Sequence, residues 1–502
     1  MFKNRSPSIL ILLLVIVVVG LVLRSWGIDR RLLWQDEAES AIYALQILDH
    51  GYPSSHYRGL PLYENASYLP SDDSKYELRS TNFVGSRFEK NKGWLPYYLM
   101  AGTFQLFGVG SWQARLPSVL VSGLTILLIV WFGSRHLGPG IGLLGAGLLA
   151  VNPVAVVMER QARYFSLTAL LATWCFIFWW RTRHVDHAAD RWLLVAGMLL
   201  LFYTHLPLFA MFAASLMWSP TQTPVYGRWR RWRVPLAVLA ALTLPWFIAV
   251  QFWSSASAWS SAGAWATKGS AILVFGLVAG MLLLFQQLLR RIGLPSFFSL
   301  SHMGNVGPAV VWYLVYLTLG LMLLLPEEAF NARHFIALVP LLCLLTAGVL
   351  VGALHERSQP AHWMTLVLVA SVWLVFSRGP LSGYGKAEWV RSALQYLDKQ
   401  PPASGALLLT TYHHFPFWVH GGYPVELVWP IRREYLETYP GRLILFVPAD
   451  QIWCESSYAD WRRCRDPAGY NFSQRVRTCP RHQLSATLTV YDCPAPAVVP
   501  AV

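Results

Sequence analysis

The segment Trp34-Gln35-Asp36-Glu37-Ala38-Glu39 puts three carboxylates within four residues, at the head of an amphipathic stretch. A carboxylate beside a hydroxyl can act as its general base. Cations are spread over other segments of similar polarity: Arg163-Tyr164, Arg333-His334, and Arg58, Lys75, Arg79, Arg87, Lys90 and Lys92 in one long loop. Arginine and lysine hold phosphate through charge-assisted hydrogen bonds. Together these residue types suit transfer from a donor whose leaving group is a lipid phosphate. Such a leaving group is already anionic and needs charge stabilisation more than a proton, so one carboxylate suffices. Asp36 and Glu37 diverge by about 100° on a helix, whereas Asp36 and Glu39 share a face. Asp36 with Glu39 also has the form of a helix capping box, worth about 0.5–2 kcal/mol. Spacing alone leaves capping and catalysis both open for Asp36. Arg163 and Arg333 could equally brace helix ends, and His205 reads first as a turn histidine.

The elements that must position these residues are membrane helices. The chain has 502 residues, 55% hydrophobic and 13% charged. Globular proteins carry about 25% charged residues, so a soluble domain is a poor fit. Eleven apolar runs are candidate spans: 8–24, 116–134, 140–158, 165–180, 192–204, 206–218, 234–253, 270–289, 307–325, 335–354 and 362–377, of which the short fifth and sixth could instead form one long, kinked helix. With the N-terminus in the cytoplasm, the cytoplasmic segments hold 13 basic residues against three acids. That is the positive-inside pattern. No small-x-small cleavage site follows the first run, so it is read as an uncleaved helix. The net charge of +14 is therefore mostly topological and implies no nucleic-acid partner. Arg228-Trp229-Arg230-Arg231-Trp232-Arg233 reads as a cytoplasmic anchor on anionic lipid. The apolar runs lack interior ionisable residues, with Glu159, Arg160 and His205 taken at span ends, which argues against a pump or ion-coupled carrier. The chemistry is expected on the outer face.

Three outer regions follow from this topology. The loop 25–115 should hold helices over 38–48 and 94–107, stopped by Gly51 and Gly108, both along the membrane surface. The loop 253–269, with Trp253, Trp259 and Trp265, reads as interfacial. The segment 378–502 reads as an extracytoplasmic α/β domain, with a helix over 387–397 and strands over 406–412, 442–447 and 486–490. It contains Cys454, Cys464, Cys479 and Cys493, which suggest two disulfides with three pairings open. Cys175 and Cys343 fall within spans.

Four motifs in order give the chain a family resemblance. They are Trp34-Gln35-Asp36-Glu37-Ala38, then Leu95-Pro96-Tyr97-Tyr98 through Leu106-Phe107-Gly108 to Ala114-Arg115-Leu116-Pro117-Ser118, then Gln161-Ala162-Arg163-Tyr164, and finally Ala332-Arg333-His334-Phe335 with Pro340. Over about 8–345 the chain resembles the GT-C superfamily of polyprenyl-phosphate-sugar-dependent glycosyltransferases, near the protein O-mannosyltransferases and lipid A aminoarabinose transferases. The resemblance implies a GT-C-like polytopic α-helical membrane domain over 1–377 in a bacterial inner membrane, followed by the 378–502 domain. It implies inverting transfer of a sugar from a polyprenyl phosphate to an extracytoplasmic lipid, glycan or protein. Asp36 would be the base, with Glu37 beside it, or would orient acceptor or metal. Arg163 and Arg333, with Arg58 and Lys92, would bind the donor phosphate. Tyr164, His205, His334, Tyr97 and Glu39 would line the substrate pocket. No cofactor is fixed by the sequence, although some relatives hold a divalent cation at the position of Asp36. The chain departs from the family at His334, where Tyr is common, and in the long 51–92 loop. An envelope glycan ligase using a lipid diphosphate and a non-catalytic membrane scaffold are the competing readings.

Overall fold

The computed structural model describes residues 7–54, 56–58, 60–62, 88, 92–184, 187–217, 225–250, 303–324, 332–355, 388–411, 414–427, 431, 433–448 and 474–496. Helices α1 (Pro7–Ser25) and α2 (Gln35–His50) precede a hairpin of β1 (His56–Tyr57) and β2 (Leu60–Pro61). Then come α3 (Leu95–Phe107), α4 (Ser111–His136), α5 (Pro139–Val151), α6 (Pro153–Glu159), α7 (Phe165–His184), α8 (Ala188–Phe202), α9 (Leu206–Met217) and α10 (Val225–Ala249). After α11 (Val306–Leu324), a 3-10 helix (Ala332–Leu338) runs into α12 (Val339–His355). The C-terminal segment holds α13 (Glu388–Lys399), β3 (Leu407–Thr410), α14 (Phe415–His420), β4 (Glu426–Leu427), α15 (Arg433–Thr438), β5 (Leu443–Pro448), α16 (Gln474–Thr478), β6 (Arg481–Ser485) and β7 (Leu488–Cys493).

The chain divides into two units. The first comprises 1–28, 90–99 and 115–384. Among its described residues four helices are long and apolar enough to cross a membrane: α1, α4, the 230–249 part of α10, and 335–352. The pair α5 and α6 makes a fifth if its 60° bend lies within one span. The other expected spans within the described residues are helical but fall short of that length and composition, and 270–289 and 362–377 lie outside the described residues. Expected spans five and six are separate helices, parted by the turn at 203–205. The arginine and tryptophan cluster, expected between spans, instead falls in the first turns of α10. Glycine lets α4 and α5 touch: a Cβ on Gly142 would lie 2.4 Å from the Ser134 backbone nitrogen. Such close approach is how membrane helices pack without a hydrophobic driving force. The core between α4, α5, α7 and α12 is Phe132, Leu149, Phe176 and Leu344, all fully buried.

The second unit comprises 29–89, 100–114 and 385–502. Its sheet has the order β4-β3-β5-β7-β6. Strand β3 is parallel to β4 and β5, and β7 is antiparallel to β5 and β6. Strands β3 and β5 are buried at every residue, as continuous apolar runs in a covered sheet should be. The strands expected over 406–412, 442–447 and 486–490 are β3, β5 and β7. Cys479 and Cys493 form a disulfide; Cys454 and Cys464 lie outside the described residues, as does the loop 253–269. The helices expected over 38–48 and 94–107 are α2 and α3, ended by Gly51 (φ 90°) and Gly108 (φ 79°), a left-handed conformation that glycine adopts without penalty.

Candidate active site

In the second unit, α2 begins two residues earlier than the capping pattern suggests. Its N-cap is Trp34, and Asp36 is already the second helical residue. Of the two readings open for Asp36, capping does not hold, because the capping carboxylate is Glu37. Its Oε2 accepts from the Trp34 N–H at 3.4 Å. Both Asp36 and Glu37 lie where the helix dipole favours negative charge. Asp36 is half-buried, while Glu37 and Glu39 are buried. Glu39 Oε1 accepts from the Tyr43 hydroxyl at 3.2 Å, four residues on. Of the three carboxylates, Asp36 is the one that keeps part of its surface open. Gln46 ties the following loop to the same helix: its Nε2 donates to the His56 carbonyl and its Oε1 accepts from the Ser54 N–H. Arg58 is exposed at the turn between β1 and β2 with φ 49°, its guanidinium 5.2 Å from the centre of the Tyr57 ring. Burial pushes the Tyr57 hydroxyl pKa up, against the lowering effect of Arg58.

In the first unit, the remaining motif positions gather around the turn after α6. Arg163 is buried, its guanidinium 5.5 Å from the Tyr164 ring centre. Tyr164 meets the His205 ring at 5.4 Å. His205 precedes α9, and its Nδ1 accepts from the Leu208 N–H at 3.3 Å, so the proton of the neutral ring sits on Nε2. Burial pushes its pKa down to about 4. The strap from Lys92 to Leu95 docks on the same turn, with Leu95 N–H donating to the Tyr203 carbonyl at 2.8 Å. Gly93 allows this, since a Cβ there would lie 2.5 Å from the Tyr203 carbonyl carbon. Lys92 is half-buried at the start of the strap, and Tyr97 is buried in the first turn of α3. Tyr164 also packs against the buried cluster formed by Phe165, Ala169 and Ile336. Ile336 belongs to the 3-10 helix that carries Arg333 and His334.

Sequence reasoning missed what fixes this turn. Arg24 and Glu159 are both 0% exposed and form an ion pair at 2.8 Å. Arg24 also donates to the carbonyls of Gly20, Ala150 and Leu149. The Oε1 of Glu159 is buried with no hydrogen-bond partner among the described residues. Arg160 reaches the Trp26 carbonyl, and Arg115 the Ile28 carbonyl at 2.7 Å. A buried ion pair therefore lies where the apolar runs show none. The signal in the sequence was an arginine closing the first apolar run and a glutamate closing the third; nothing in either pattern pairs them.

Among the described residues no group of three or more His, Cys, Asp or Glu could hold a metal ion. On α2 the neighbours of Asp36 are engaged, Glu37 at the cap and Glu39 with Tyr43. The described residues do not supply a ligand set for a cation at Asp36.

Known proteins match this architecture. Residues 91–253 match the model of the dolichyl-phosphate-mannose-protein mannosyltransferase family. No curated protein matches the chain in sequence. Among solved structures, ArnT from Cupriavidus metallidurans bound to undecaprenyl phosphate aligns with TM-score 0.55 at 15% identity, over 95% of this chain and 97% of ArnT. The Archaeoglobus fulgidus oligosaccharyltransferase in complex with Zn and sulfate aligns with TM-score 0.51 at 12% identity, over 88% of this chain and 68% of that one. The archaeal oligosaccharyltransferase AglB from the same organism, with an inhibitory peptide and a dolichol-phosphate, gives TM-score 0.50 at 11% identity, covering 89% and 70%. At these identities the likeness establishes the fold. By that whole-chain fold and by the family match over 91–253, the chain resembles the GT-C superfamily of glycosyltransferases, as its four motifs indicate.

Proposed function

We propose that the chain is a membrane glycosyltransferase that moves a sugar from a polyprenyl-phosphate donor to an extracytoplasmic acceptor, with inversion at the anomeric carbon. The observation that carries this reading is the gathering of three separate sequence motifs around one turn of the first unit: the 92–98 strap, Arg163-Tyr164 and the helix of Arg333, with His205 between. Arg163 with the rings of Tyr164 and His205 at one turn suits an anionic lipid phosphate and its sugar. The match to the mannosyltransferase family and the likeness to ArnT, solved with undecaprenyl phosphate, support the same donor class.

In this reading Asp36 accepts the proton of the acceptor hydroxyl as its oxygen attacks the anomeric carbon. The bond from that carbon to the phosphate oxygen breaks, and the electron pair leaves with the phosphate. Arg163, Arg333, Arg58 and Lys92 stabilise the released polyprenyl phosphate. Tyr164, His205, His334 and Tyr97 shape the pocket. Glu37 supports the head of α2 and Glu39 its first turn. The N-terminus faces the cytoplasm of a bacterial inner membrane, and 378–502 lies on the extracytoplasmic side.

The test is turnover of purified protein with a panel of undecaprenyl-phospho-sugars and lipid A, peptide or polysaccharide acceptors. Asp36→Asn should abolish transfer while insertion and melting stay as in the wild type. Wild-type turnover in that variant would remove Asp36 from the chemistry. Consumption of diphosphate-linked oligosaccharides alone would favour a glycan ligase.

A further inference from the structure

The head of α2 is held from a distant part of the sequence. Leu33 N–H donates to His420 Nε2 at 3.0 Å. The Gln35 amide sits between two groups of the same short segment. Its Oε1 is 3.3 Å from the Phe415 nitrogen, and its Nε2 is 3.0 Å from His414 Nδ1. The Phe415 N–H can only donate, so the facing Gln35 atom must be the oxygen. The amide NH2 then faces His414, whose Nδ1 must accept, and the His414 proton sits on Nε2. One backbone donor thus fixes the amide orientation and the histidine tautomer together. Beside this pair, Tyr57 stacks on Trp418 with ring centres 5.7 Å apart. His414 is 2% exposed, so water does not compete for the bond.

These contacts lie immediately ahead of Asp36. Leu33 and Gln35 are fixed from outside the helix, and Asp36 is the residue after Gln35. The first N–H groups of a helix have no partner within it, and a helix head without outside partners frays. Here outside partners hold the residue before the cap, Leu33, and the Gln35 side chain rather than those N–H groups, and they come from α14 and the residue before it, almost 400 positions along the chain.

We propose that His414 and His420 are positioning residues for Asp36: by holding the Gln35 side chain and the Leu33 N–H, they set the angle at which α2 presents the Asp36 carboxylate. The inference rests on the reading of Asp36 as base. Misplacement of a reacting group by about 1 Å lowers rate on the order of 100-fold. A positioning role should therefore appear in kcat rather than in donor affinity.

Isosteric replacement makes the test specific. The oxygen of Asn lies near the Nδ1 of His, and that of Gln near its Nε2. In the full-length protein, His414→Ala and His420→Ala should each lower kcat on the undecaprenyl-phospho-sugar panel by roughly 10- to 100-fold, with undecaprenyl phosphate affinity unchanged. His414→Asn and His420→Gln should restore most of that loss, while His414→Gln and His420→Asn should not. Hydrogen exchange of the 33–38 amides should quicken in both Ala variants and return to wild-type rates in the two rescuing ones. If Asp36→Asn is inactive while both Ala variants keep wild-type kcat, the clamp is refuted and the base stands. Unchanged exchange at 33–38 in the double Ala variant would also refute it. Wild-type turnover in Asp36→Asn would overturn both readings at once.

Discussion

The Arg163 turn and the Asp36 turn are both short, and both are fixed by residues far away in sequence, but by opposite means. The first is held by ions: Arg24 and Glu159, wholly buried, pin the end of α6 from which the turn departs. The second is held by neutral groups: an amide, two imidazoles and two backbone N–H groups. The energetics differ accordingly. Removing one member of a buried ion pair strands a charge and costs about 3–5 kcal/mol. Removing one neutral hydrogen bond costs on the order of 1 kcal/mol. One region is therefore expected to fail abruptly, as a loss of structure, and the other gradually, as a loss of alignment.

The largest effect should break the comparison at its ionic side. Arg24→Ala or Glu159→Ala should lower stability in detergent by about 3–5 kcal/mol or prevent folding. The double change Arg24→Met with Glu159→Leu should recover much of that loss, because it strands no charge. Thermal melting checks this, and a single variant that melts like the wild type would sink the account.

A pH experiment sharpens the contrast within the first unit. His205 is neutral when folded, with its pKa at about 4 against 6.5 for an unperturbed ring. Between those values the unfolded chain takes up a proton that the folded protein refuses. Stability is unaffected by this group above pH 6.5, declines as the pH falls, and is lower by roughly 3 kcal/mol once below the folded pKa. His205→Asn keeps an oxygen where Nδ1 accepts from Leu208 and should flatten the slope of melting temperature against pH in that window.

The smallest effect should lie in the second unit. Asp492 takes Arg442 in a two-pronged pair at 2.8 and 2.5 Å and accepts from the Tyr396 hydroxyl at 2.7 Å. These bonds hold its carboxyl below the usual carboxylate range. Their stabilisation is complete above the unfolded pKa and is lost as the pH falls through the lower, folded one. Because the pair is partly exposed, Asp492→Asn should cost about 1 kcal/mol at pH 7, by denaturant titration, and almost nothing at pH 2.

Legibility in the sequence follows the range of the interaction. Helices and strands were readable because apolar periodicity and glycine stops are local: Gly51 and Gly108 end α2 and α3, and the strand expected over 442–447 is β5, Leu443–Pro448. The break at 152–153 was masked, because the apolar run continues through it. The start of α2 was misread by the capping pattern, since Trp34 is not a typical cap, and its carboxylate partner stood at Glu37 rather than Glu39. Long-range partners left no local trace. A histidine at 414 gives no sign of meeting a glutamine at 35, and Arg24 looked like the polar end of a span.

The bend between α5 and α6 has a consequence of its own. Pro153 has no N–H to offer the Leu149 carbonyl, and a chain that turns by 60° leaves the Ala150 carbonyl facing away from its regular donor. The guanidinium of Arg24 takes both oxygens. One side chain thus stands in for the missing turn of a helix. Any straightening of the joint would break the two carbonyl bonds of Arg24 and its ion pair together. The joint is an elbow set rigid rather than a hinge, and the arm it fixes ends in Arg163.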